Sequence, residues 1–91
     1  MSATGDRVVA AVADVLGVPA AEVRTAATLF DLPGFDSIAV VGVLERLESD
    51  LGVEVPPERI VPEAFATVDD VARLVDDATA LVPGRPMGDP R

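Results

Sequence analysis

Apolar residues in this chain recur at three- and four-residue steps in three stretches, each bounded by proline, glycine or threonine, which is the spacing of amphipathic helices and not of strands. The first stretch covers residues 6–16. Val8, Val12 and Val15 form one stripe, Val9 and Leu16 flank it, and Arg7 and Asp14 lie off it. Gly17 and then Pro19 supply the stop. Valine is a mediocre helix former, so a strand competes here, and the step of three and four decides for helix. The second stretch runs over 37–51. Its apolar opening, Ile38 to Leu44, would pass alone for a buried strand, but Val40, Val43 or Leu44, Leu47 and Leu51 carry the helical step into the charged segment 45–50. Gly52 closes it. The third stretch starts after Thr67, which stands three residues before Asp70 as in a capping box with Asp replacing Glu. Asp69 and Asp70 suit the positive end of the helix dipole, and Val71, Leu74, Val75 and Ala78 mark the buried side.

Between the first two helices lies a long connection, 18–36, in which Pro19 and Pro33-Gly34 forbid one continuous helix. Val23, Leu29, Phe30 and Leu32 are its expected anchors in the core, and Phe35 and Phe65 are read as core anchors too. Residues 57–60 and 62–65 each open with Pro, which favours the first position of a short helical turn. The ends read as flexible, 1–5 being small and polar and 83–91 rich in Pro and Gly, so the ordered domain is expected over 6–82. The predicted fold is all-α: a small four-helix bundle of three main helices plus one short one.

Composition narrows the chemistry. The 91 residues make one domain, 49% hydrophobic but only 3% aromatic, so the core must come from Val, Leu, Ile and Ala and has little room for a deep pocket. The chain has no His, Cys, Lys, Tyr or Trp. A metal site would have to be all carboxylate, suited to calcium or magnesium, and no EF-hand loop is present. A nucleophilic Ser or Thr would lack a basic side chain to assist it. These absences argue against an enzyme and for reactivity borne by something attached. The net charge of −9 repels nucleic acid and anionic membranes and favours partners with basic patches, or serves only solubility. Neither a secretory signal nor a membrane-length apolar run is present, so a cytoplasmic monomer is expected.

The segment Gly34-Phe35-Asp36-Ser37-Ile38 places a hydroxyl at a helix start directly after a long loop. Backbone N–H groups there are unpaired and the dipole favours an anion, so a phosphodiester on Ser37 would be accommodated without a special pocket. Asp36 would stand beside it, placed to help hold a magnesium ion. The plainer reading is an ordinary Asp-Ser helix cap.

With its flanks, that segment resembles the phosphopantetheine-binding carrier proteins, acyl and peptidyl, over residues 7–82. The resemblance rests on Leu29-Phe30-Asp31, on Phe35-Asp36-Ser37-Ile38, on 47–55, and on 62–68 followed by Val71 and Leu74. It implies that a separate transferase moves 4′-phosphopantetheine from coenzyme A to Ser37 in a magnesium-dependent reaction, and that the arm's thiol holds acyl or aminoacyl cargo as a thioester. It implies no catalytic residue in this chain; the partners are the transferase, a loading enzyme and downstream transferases or synthases. The helix over 37–51 would be the face they read, with Ile38, Val41, Gly42, Glu45 and Glu48 outward. Many fatty-acid carriers of the family have acids early on this helix, where this chain has Ala39 and Gly42. Gly42 either relieves crowding between backbones or smooths an apolar docking face. The resemblance thus points to polyketide, nonribosomal peptide or related secondary metabolism, the alternatives being a housekeeping fatty-acid carrier or a never-loaded helical interaction module.

Overall fold

The computed structural model describes residues 3–81. Four α-helices follow one another: α1 Ala3–Leu16, α2 Ala20–Thr25, α3 Ser37–Leu51 and α4 Val68–Leu81, with 3-10 turns at Leu29–Asp31, Pro57–Arg59 and Pro62–Phe65. The all-α bundle of three long helices and a short one is as expected, but the short α-helix is α2, within the expected connection, whereas the proline-led segments expected to supply it form 3-10 turns. The expected tail over 83–91 lies outside the described residues.

The valine stripe makes α1 the central helix. Val8, Val9 and Val12 are at most 1% exposed, Val15 and Leu16 are half-buried, and α1 packs against α2, α3 and α4. The partner helices answer with Val43, Leu44 and Leu47 from α3 and Val71, Leu74, Val75 and Ala78 from α4, all buried. Such aliphatic side chains contribute about 1.5–3 kcal/mol each when removed from water, and no polar or charged residue is buried among those described.

Helix ends follow their cap residues. Asp36 Oδ1 accepts a hydrogen bond from Ala39 N at 3.0 Å, and Thr67 Oγ1 accepts one from Asp70 N at 3.0 Å. Gly52 ends α3 in the left-handed region (φ 66°), where a side chain would be strained, and its N–H donates to the Glu48 carbonyl. Surface ion pairs join the elements: Asp14 with Arg46 between α1 and α3, Asp6 with Arg24, and Asp77 with Arg59. Among the described residues no helix is long and apolar enough to cross a membrane.

Three expectations are corrected. Helix α1 begins at Ala3, not at residue 6; Gly5 is buried on its inner side. The connection after α1 is not a plain loop, because Pro19 caps the six-residue α2, whose one buried residue is Val23. Phe30 is not a core anchor: it is 45% exposed while its neighbour Leu29 is buried. In a tight 3-10 turn adjacent side chains point apart, and only one of the pair can enter the core.

Candidate functional site

The connection after α2 delivers Ser37 to the surface by a chain of local constraints. Leu29, buried, anchors the first 3-10 turn, and its N–H donates to the Ala66 carbonyl at 2.7 Å. Leu32 and Phe35 are buried behind it. Between them Gly34 adopts φ +86°, a conformation L side chains rarely take, which turns the chain so that Phe35 enters the core and Asp36 leaves it. Asp36 then caps α3, and Val40 N donates to its carbonyl at 2.9 Å as the first backbone bond of the helix.

Ser37 is therefore the first helical residue, and it is exposed. No hydrogen bond joins its hydroxyl to another described residue. The hydroxyl lies beside the unpaired N–H groups of a 15-residue helix, where partial positive charge collects.

Ser37 also forms part of the wall of an open groove of about 240 Å³, lined otherwise by Phe30, Val40, Val41, Ile60, Val61, Pro62 and Phe65. Phe65, 1% exposed, is shared between the core and this groove. Phe30 is held over it by an edge-to-face contact with Phe35, ring centroids 5.2 Å apart.

Of the residues expected on the outer face of α3, Ile38, Val41 and Glu45 stand exposed together at helical spacing. Gly42 and Glu48 do not join them, both being half-buried. A Cβ on Gly42 would face Val15 of α1, and Glu48 Oε2 accepts a hydrogen bond from Val55 N at 2.9 Å, bracing the chain after α3. Ala39 is 6% exposed and belongs to the core. Sequence reasoning missed Phe30, Ile60 and Val61 as groove residues. The available signal was an apolar pair, Ile60-Val61, held between two proline-led turns too short to bury it.

A helical scaffold that presents an exposed hydroxyl at a helix start, beside an apolar groove, has the form of an attachment point for a covalently carried group. Residues 6–75 match the family model of the phosphopantetheine attachment site, and the chain belongs to that family. No solved structure gives a significant match. Members of this family covalently carry 4′-phosphopantetheine, tether acyl groups on it, and work with a phosphopantetheinyl transferase and partner enzymes. The residues here fit such a group: an exposed hydroxyl with no hydrogen-bond partner among the described residues, the first backbone N–H groups of α3 ahead of the capped Ala39, and an apolar groove alongside.

Proposed function

We propose that Ser37 is the attachment point of 4′-phosphopantetheine, and that the chain is a cytoplasmic carrier of acyl or aminoacyl groups in polyketide, nonribosomal peptide or related secondary-metabolite biosynthesis. The observation that carries the reading is the position of Ser37, exposed as the first residue of α3 with no hydrogen bond from its hydroxyl to another described residue. When bound, the group supplies a flexible arm ending in a thiol that holds cargo as a thioester. The chain's own residues do the rest. Ser37 Oγ provides the ester oxygen, and the first-turn N–H groups of α3 stabilise the phosphodiester charge. Asp36 uses Oδ1 to cap α3, which leaves Oδ2 for a magnesium ion during attachment. Ile38, Val41 and Glu45 form the face that partner enzymes meet, with Gly42 and Glu48 at its border. The secondary-metabolic assignment is supported by this face, whose first two turns carry no acidic residue.

Incubating the apo chain with coenzyme A, magnesium and a broad-range phosphopantetheinyl transferase should add one arm, seen by intact mass, and Ser37→Ala should abolish the gain. A wild-type chain that gains no mass, or an equal gain on Ser37→Ala, would reject the assignment. Protein taken from its native cell should carry the arm, which separates the carrier from a never-loaded interaction module.

A further inference from the structure

Ser37 is presented by a segment with one foothold. Of residues 33–38 only Phe35 is buried; Pro33, Gly34, Asp36, Ser37 and Ile38 are all exposed. The backbone hydrogen bonds that shape the approach to α3 are local, from Phe35 N to the Leu32 carbonyl at 3.2 Å and from Asp36 N to the Gly34 carbonyl at 3.0 Å. They bend the chain without tying it to the bundle. Gly34, at φ +86°, adds a backbone able to take other conformations. The position of Asp36, and with it the cap on Ala39 N and the place of Ser37, therefore depends on the Phe35 ring staying where it is.

That ring has a fixed neighbour. Phe30 stands on the 3-10 turn Leu29–Asp31, which is fastened to the body by the buried Leu29 side chain and by the bond from Leu29 N to the Ala66 carbonyl. Its ring meets that of Phe35 edge to face, with the planes at 67°, an arrangement that contributes beyond the area it buries. Phe30 leaves 45% of its own surface exposed, so the core gains little from it. We propose that Phe30 is a positioning residue for arm attachment: it acts through Phe35, holding that ring in the core so that Asp36 and Ser37 keep the geometry the transferase requires. This rests on the reading of Ser37 given above. Transfer to a hydroxyl is sensitive to small displacements of the attacking oxygen. A looser Phe35 therefore slows the chemical step more than it weakens the encounter.

The test follows arm attachment to the full chain by intact mass, with coenzyme A, magnesium and a broad-range phosphopantetheinyl transferase. Hydrogen exchange of the Asp36, Ala39 and Val40 amides is measured in the same proteins without enzyme. Phe30→Leu stays apolar but removes the ring. It should lower kcat roughly two- to tenfold, the contribution of such a ring pair expressed as a rate, while KM stays within about twofold of wild type. Exchange at the three amides should quicken by a similar factor. Phe30→Tyr keeps the ring and should stay within about twofold of wild type in both readouts. On a Phe35→Leu background the Phe30→Leu change should cost less than about twofold in either, because the partner ring is already gone. A Phe30→Leu chain with normal kcat overturns the proposal, as does one in which KM alone rises, which would make Phe30 a contact of the enzyme. Equal losses from Phe30→Leu with and without the Phe35 ring overturn it too, since the effect would then not pass between the rings. Phe30 is half-exposed, so its variants should remain folded by circular dichroism, and the split between kcat and KM decides even where Phe35→Leu unfolds. Failure of the Ser37 reading looks different: the wild type then gains no arm.

Discussion

At the scale of single residues, the helix that begins at Ser37 separates positions that a helical wheel would group. Gly42 sits where α3 faces α1, and a Cβ there would meet Val15 Cγ1 at 3.5 Å, an ordinary van der Waals contact. Backbone crowding therefore does not demand a glycine. Gly42→Ala should stabilise the fold by up to about 1 kcal/mol through helix propensity, raising the melting temperature by roughly 4–8 °C for that gain in a domain of this size. A calorimetric scan in which Gly42→Ala melts lower than wild type would show that Val15 cannot yield to the added methyl. Glu48 behaves in the opposite sense. Its carboxylate is the acceptor for Val55 N, so Glu48→Ala leaves a part-buried N–H unpaired at a cost of about 1–2 kcal/mol. Glu48→Gln keeps an amide oxygen in place and should recover most of that loss in urea titrations. Equal destabilisation by both variants would trace the effect to charge.

At the scale of elements, what could be read from the chain depended on length. The three long helices were legible because each repeats its apolar step several times, and the observed span Ser37–Leu51 equals the expected one. Helix α2 was not, because six residues with one buried side chain, Val23, present no period to detect. Phe30 misled for a related reason. Leu29 and Phe30 are equally apolar, and only the geometry of a three-residue turn decides which enters the core. The place of Ser37 was legible from Asp36, whose capping role is a local property of sequence. The groove beside it was not, since Phe30, Val41 and Ile60-Val61 come from segments that only the tertiary fold brings together.

At the scale of the molecule, α1 is the helix on which the other three pack. Opening it exposes Val8, Val9 and Val12 at once, which amounts to unfolding the whole domain. In native-state hydrogen exchange the amides of Val9 and Val12 should therefore be among the slowest, exchanging only through global unfolding, while those of α2 exchange faster through local opening. Uniform protection across α1 and α2 would instead make the short helix part of one cooperative unit.

The hydrogen bond from Leu29 N to the Ala66 carbonyl, 2.7 Å long, joins the turn that bears Phe30 to the end of the turn that bears Pro62 and Phe65. Both its atoms are main chain, so exchanges at Ile60 and Val61 leave its donor and acceptor in place. The lip of the cleft can thus be rewritten at Ile60 and Val61 while its jaws keep their separation. Substitutions at those two positions can therefore reshape the groove without displacing the serine.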